Sequence, residues 1–345
     1  MKFVPSLLGF SLVILSLPVS AMDLEELAAV YNNYQSQLES YRVYYTTTRQ
    51  TSSPEGEDQG TYVKRYEHYG KDGLFGERMY MVIPDQEEKL HSWSAYDGQR
   101  LRRIFYGGDG KPSMGFIEAL DFQTAYERNC GSALAQIGLQ SGRMKDDQGR
   151  FVRGSEMTDV LSLLADPGAE ILPELEVLDG HPCHVVRLGN YFKAWFAKDL
   201  GCSLLRRESY IVQPDGEPII AYRVVCEDHT EVKPGLFIPL RITQDVGKAT
   251  AKRLGSYNII IYAIDNIEFN PPLSDEDFVI DFPDGLLIEH TATGIRFFAG
   301  KAFSRKVIVV VAIAVVGVLA PVVALVLLAT ACVKRRRSGK ETCEG

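Results

Sequence analysis

Two of the commonest signatures of exported hydrolases, Gly-x-Ser-x-Gly and His-Glu-x-x-His, are absent from this 345-residue sequence, which removes the most familiar routes to serine or zinc hydrolysis. No Asn-x-Ser/Thr acceptor occurs, in accord with a bacterial export route. No repeat of fixed period and no low-complexity tract appears, which argues against solenoids and propellers. Cysteine is scarce. Of six cysteines, four (Cys130, Cys183, Cys202 and Cys226) lie between the two apolar ends of the chain, too few for a disulfide scaffold of this size. Positive charge is also in short supply: residues 22–306 carry 31 basic and 43 acidic side chains, a net of −12. Such a surface argues against nucleic acid as a partner and against charge-driven docking on anionic lipid.

Long charge-free runs are confined to the two ends. Residues 1–21 combine Lys2, an uncharged core and Val19-Ser20-Ala21, the pattern of a cleaved secretory signal. No cysteine follows the cut, which argues against an N-terminal lipid anchor. Residues 307–333 contain no charge and as a helix would be roughly 40 Å long, enough to span with tilt. Pro321 near the middle is tolerable in a membrane helix. Lys334, Arg335, Arg336, Arg337 and Lys340 follow, so the positive-inside bias keeps the tail, 334–345, cytoplasmic. The expected organisation is a signal (1–21), an extracytoplasmic domain (22–298), a linker (299–306), one transmembrane helix and a short basic tail. The expected site is the cell membrane, periplasmic side if the cell is Gram-negative.

Within the exported part a helix comes first. Leu24, Leu27, Tyr31, Tyr34, Leu38 and Tyr41 recur at steps of three and four, with Glu25, Glu26, Asn32, Gln35 and Glu39 on the other side, an apolar stripe that must pack on something. The pattern then turns to β. Runs at 42–50, 59–69, 75–83, 89–96 and 100–106 are rich in Tyr, Val, Thr and Phe and are broken by turn chemistry, with Asp97-Gly98 a two-residue hairpin signal. Residues 113–166 read as helical or irregular. Strands resume at 175–188, 191–197, 203–212, 219–226, 237–245 and 257–269, for a mainly β (α+β) domain of about eleven strands.

Candidate chemistry is sparse. Gly107-Gly108-Asp109-Gly110-Lys111 lacks the first glycine and the Ser/Thr of a phosphate loop and reads as a turn. On a strand, His181 and Cys183 share one face and His184 takes the other, so His181-Pro182-Cys183-His184 offers too few ligands for a metal. Asp146-Asp147 and Asp275-Glu276-Asp277 lack the spacing of a calcium loop. No catalytic residue, metal or cofactor is expected. Meander pairing sets Cys183 opposite Trp195 and Cys202 opposite Lys198, which forbids a bond between these two thiols. Strand 257–265 is apolar on both faces: Tyr257, Ile259, Ile261 and Ala263 on one, Ile260, Tyr262 and Ile264 on the other. It belongs either to an ordinary two-sided core or to the wall of a ligand cavity.

Several stretches resemble one family. Ser40-Tyr41-Arg42-Val43-Tyr44-Tyr45-Thr46-Thr47-Thr48 and Gly60-Thr61-Tyr62-Val63-Lys64-Arg65 are similar to the first two strands of the LolA/LolB superfamily of lipoprotein carriers. Tyr96-Asp97-Gly98-Gln99-Arg100-Leu101 resembles its Asp-Gly hairpin, and Phe269-Asn270-Pro271-Pro272-Leu273, with Asp277-Phe278 and Phe282-Pro283-Asp284-Gly285, its closing segment. The resemblance implies an open antiparallel half-barrel with an apolar concave face under helices. It implies a non-catalytic domain that binds a lipid or lipoprotein acyl group, or an envelope-sensing or protein-interaction relative with a closed core and no ligand. The implied cavity would be lined by Leu27, Tyr31, Tyr34 and Leu38 of the first helix with Ile259 and Ile261. Arg65 stands where the family carries a lid-holding arginine, although Tyr66 replaces the proline that usually follows.

Overall fold

A computed structural model describes residues 22–53, 57–84, 86–120, 137, 160–164, 166–212, 217–246 and 257–300. The expected signal, membrane helix and tail, together with Cys130 and most of the expected helical insert, lie outside them. Among the described residues no helix is long and apolar enough to cross a membrane.

The described part of the chain begins with helix α1 (Leu24–Ser36). Asp23 opens it as a reciprocal cap: Glu26 N donates to the Asp23 carboxylate at 2.8 Å and Asp23 N donates to Glu26 Oε2 at 3.0 Å, satisfying amides that the first turn leaves without partners. Strands β1 (Ser40–Ser52), β2 (Asp58–Lys71), β3 (Leu74–Met81), β4 (Lys89–Tyr96), β5 (Arg100–Tyr106) and β6 (Pro112–Ala119) follow as a meander. After a short helix α2 (Val160–Leu164) come β7 (Ala169–Ile171), β8 (Glu176–Leu178), β9 (His181–Leu188), β10 (Phe192–Ala197), β11 (Ser203–Val212), β12 (Pro218–Lys233), β13 (Leu236–Val246), β14 (Tyr257–Phe269), β15 (Leu287–His290) and β16 (Ile295–Phe298).

These strands form one sixteen-stranded sheet in the order β16-β15-β6-β5-β4-β3-β2-β1-β14-β13-β12-β11-β10-β9-β7, with β8 also on β9. Two meanders are joined where β1 and β14 pair from Tyr41 opposite Phe269 to Ser52 opposite Tyr257. Pairing is antiparallel except between β15 and β6.

The sheet has five strands more than the expected eleven: β6, the three-residue β7, one more from the division of 175–188 into β8 and β9, and β15 and β16. β6 lies in a stretch read as helical or irregular, where Pro112 and Gly115 mask a strand held by Ile104 and Phe105 of β5. Residues 175–188 are not one strand but a tight hairpin, because Asp179 (φ 53°) and Gly180 (φ 89°) turn the chain so that Leu178 faces His181. β15 and β16 are short and docked by non-local pairing. The same local chemistry shifts a register: Leu188 pairs with Phe192, so Cys183 faces Ala197 rather than Trp195. Cys183, Cys202 and Cys226 are buried free thiols.

The two faces of the sheet are covered by different parts of the chain. α1 and α2 lie against each other over the face formed by β1 and β9 to β14, here the helix face. On the back face of β2 to β6, residues 273–299 pack Leu273 and Phe278 on Tyr69, and Ile280, Leu286 and Ile288 on Ala95 and Ile104. Gly76 allows this layer to form. The Tyr69 ring lies across it, so a Cβ added there would stand 2.1 Å from the ring. The ring cannot swing away, since Tyr69 Oη donates to Asp277 O and accepts from Trp93 Nε1, both at 3.2 Å. Gly76→Ala should therefore destabilise the domain by about 1–3 kcal/mol, the range for overpacking, read as a lowered denaturant midpoint with an unchanged slope.

Candidate functional site

The period-three-and-four stripe of α1 is buried as one unit. Leu27, Tyr31 and Tyr34, with Leu38 just beyond the helix, sit in a single cluster with Tyr41, Val43, Tyr45, Phe196, Leu204, Ile238, Tyr262 and Ile264 of the helix face. Tyr31 packs edge-on against Phe196, ring centroids 5.6 Å apart, and against Tyr34 at 6.0 Å. Four of the expected cavity residues are thus together. Ile259 and Ile261 are not with them: Ile260, Tyr262 and Ile264 turn toward α1, so strand alternation sends Ile259 and Ile261 to the back face. A strand apolar on both sides does not declare which side a helix will cover.

Arg65 is likewise on the back face, where it pairs with Glu88 at 3.2 Å with both side chains well exposed; its neighbour Tyr66 turns to the helix face and stacks on Tyr45 at 5.0 Å. The tie on α1 is made instead by Tyr34. Its hydroxyl proton is shared between the carbonyl of Gly201, in the β10–β11 turn, and that of Gly235, in the β12–β13 turn, the latter at 2.8 Å. Burial pushes this phenol up to about 12, so it remains a donor across the physiological range. Just beyond the same end of the helix Asn270 accepts from Glu39 N at 3.0 Å and donates to Gln37 O at 3.1 Å, fixing the corner into β1. Sequence alone gave no signal for the Tyr34 contact, because its acceptors are backbone atoms 167 and 201 residues away.

From this cluster a row of side chains crosses the sheet on the helix face, in register from strand to strand: Tyr45, Tyr66, Met79, Ser92 and Phe105. It is aromatic or apolar except for Ser92. At its end, on β5 and β6, is a cavity of about 340 Å³ lined by Leu101, Arg103, Phe105, Phe116, Glu118 and Thr291. The adjacent row is polar and buried. There His68 Nε2 meets Tyr41 Oη at 2.8 Å, with Glu77 3.7 Å from His68 Nδ1, and Ser94 accepts from Arg103 Nε at 2.9 Å. The helix face therefore grades from a sealed apolar end under α1 to an amphipathic end at β5 and β6.

Elsewhere the candidate motifs are ordinary structure. Gly107–Lys111 closes the β5–β6 turn with Gly107 N donating to Lys111 O at 2.8 Å. His181 pairs with Asp199 at 2.8 Å. Cys183 and His184 are buried on opposite faces; burial lowers His184 and raises the Cys183 thiol to about 11, and the rise at Cys183 is the reverse of what a thiolate ligand or nucleophile needs. Among the described residues no group of three or more His, Cys, Asp or Glu is placed to hold a metal ion.

No protein-family model and no curated protein matches the chain. In structure it is similar to a DUF1329 family protein from Desulfovibrio piger, with 12% identity over 74% of this chain and 95% of that one at a TM-score of 0.39. It is also similar to a domain from Vibrio parahaemolyticus described as an outer membrane lipoprotein-sorting protein, with 10% identity over 74% and 97% of the two chains and again a TM-score of 0.39.

Proposed function

We propose that this chain is a non-catalytic, extracytoplasmic binding domain, folded as a LolA-like half-barrel, that accepts a lipid or lipoprotein acyl chain between α1 and the sheet, tethered to the cell membrane by residues 307–333. The observation that carries this reading is the construction of α1. It presents a continuous apolar stripe to an apolar sheet face and is tied to that face through phenol hydroxyls: Tyr34, in its last turn, shares a hydrogen bond between two turns, and Tyr31 hydrogen-bonds the Leu204 backbone. Such a helix can lift without breaking the sheet. Burial of an acyl chain in its place would be favourable by roughly 25 cal/mol per Å² of apolar surface, and lifting and reclosure would gate uptake and release.

A second reading, an envelope-sensing or protein-interaction domain with a permanently closed core, is favoured by the complete burial of Leu27 and Tyr31. Stopped-flow uptake of a fluorescent fatty acid separates the two. Under the acyl-binding reading the folded wild-type protein gives a saturable signal, and Tyr34→Phe, which removes the shared hydrogen bond, speeds uptake roughly three- to tenfold, the kinetic equivalent of about 1 kcal/mol. Absence of saturable binding by the folded wild type selects the closed-core reading.

A further inference from the structure

We propose that His184 is an acid-sensitive release for α1: by taking up a proton beneath the helix, it favours the arrangement in which α1 has lifted from the sheet. This deepens the acyl-binding reading by giving its gate a trigger, and it rests on that reading only for what the opened face receives. Strand register fixes the position. His184 pairs with Phe196, which makes the edge-on contact with Tyr31 of α1. It also shares its parity along β9 with Val186 of the α1 cluster, so it is on the covered side of the sheet, with 6% of its surface exposed. Its Nε2 is buried without a hydrogen-bond partner among the described residues, whereas His68, His181, His229 and His290 each engage at least one ring nitrogen. An orphaned buried polar atom is a standing cost that the closed arrangement carries and a hydrated one does not.

The titratable groups around it do little to accommodate a charge. The turn after β10 brings Lys198, a like charge. From the first turn of α1 comes Glu26, which attracts a proton to the ring, but this carboxylate is exposed and already accepts from Asp23 N at 3.0 Å. The remaining groups of the cluster are the Tyr31 phenol and the thiols of Cys202 on β10–β11 and Cys226 on β12, all raised by burial and therefore neutral. β10 presents apolar Ala194 and Phe196 there. Burial first, and Lys198 second, hold the imidazole below its ordinary value of about 6.5. Lifting α1 hydrates the ring and restores that value, so the lifted state binds the proton more readily. Closure is thus fully kept above about pH 6.5 and weakens as the pH falls below it. With the closed form still neutral, one proton raises the lifted population about eightfold between roughly pH 7.0 and 5.5.

The test is hydrogen exchange of the full chain held in amphipol, corrected for the intrinsic pH dependence of exchange, with fluorescent fatty-acid uptake measured on the same preparation. Between about pH 7.0 and 5.5 the protection of amides in Leu24–Ser36 should fall about three- to eightfold while β1 and β14 keep theirs. His184→Gln, which leaves a polar side chain that cannot charge, should make the protection of α1 independent of pH over this range. His184→Phe, which removes the orphaned atom altogether, should give the same flat profile and serves if the glutamine variant does not fold. Unchanged protection of α1 in the wild type, or an equal fall in a folded variant, overturns the proposal. Should fatty acid then still be taken up, the acyl-binding reading survives it. Acid-dependent loss of α1 protection with no saturable fatty-acid binding at any pH keeps the release and removes the acyl-binding reading.

Discussion

Under the acyl-binding reading, replacing Tyr34 and Leu38 together by glutamate should abolish saturable fatty-acid uptake; under either reading it should lower the thermal midpoint. Both side chains are buried in the α1 cluster, and an uncompensated charge in such a place costs about 3–5 kcal/mol. The two sites are close and share neighbours, so their effects will not add simply. The helix escapes the penalty by leaving the sheet, and on the acyl-binding reading the exposed face then encloses no acyl chain. Far-UV circular dichroism at low temperature should still report the sheet, since the strand ladders do not depend on α1. Tyr34→Phe with Leu38→Met, which keeps the volume and adds no charge, should retain uptake. Saturable uptake by the double glutamate variant, with an unchanged midpoint, would show that this face of α1 is not where the ligand goes.

Gly201→Val should have an effect of similar size by a different route. Gly201 has φ 59°, and a Cβ there would lie 2.1 Å from the carbonyl oxygen of Gly235 and 2.7 Å from Tyr34 Oη. The first of these is backbone and cannot rotate away. Left-handed backbone strain of about 1–2 kcal/mol adds to an overpacking term of about 1–3 kcal/mol, and the clash drives apart the two turns between which the Tyr34 proton is shared. Limited proteolysis should then cut within Leu24–Ser36 faster than in the wild type. Gly235→Ala is the control: its φ is 77° but nothing lies within 4 Å of an added Cβ, so it should show strain alone and leave α1 protected. Equal protease sensitivity of the two variants would mean that the turns do not hold the helix.

What could be read from the sequence follows from how local each signal is. The α1 stripe and the limits of β14, Tyr257–Phe269, were legible because periodicity and β-branched composition act within a single element. β12 was read only as far as Cys226, yet it runs on to Lys233; its last turns carry Glu227, Asp228, His229 and Glu231, polar residues that an outlying strand end tolerates because β13 holds it. β15 was missed because its partner, β6, lies far away and runs parallel. For the site, the apolar stripe could be seen but not its latch, since backbone carbonyls leave no trace in composition. The family resemblance pointed to Arg65 for that role; a single-residue step on β2 puts it on the wrong face and puts Tyr66 on the right one. Arg103 and Glu118 had no signal at all, being unremarkable charges until two strands bring them to one cavity.

The ladder between β1 and β14 imposes a schedule on biogenesis. The first strand to be synthesised must wait until residue 269 has followed before its second edge is covered, for the closing pairs, Tyr41 with Phe269 and Ser52 with Tyr257, join nearly opposite ends of the described part. Contacts of such long sequence separation form slowly, and an uncovered, tyrosine-rich strand is a template for pairing with other chains. During synthesis the nascent protein is thus a half-sheet with one open seam, and chaperones that bind exposed strands would meet it in that state. Any stall or truncation before residue 257 would leave the seam permanently open, making the fragment aggregation-prone whatever the stability of the finished fold.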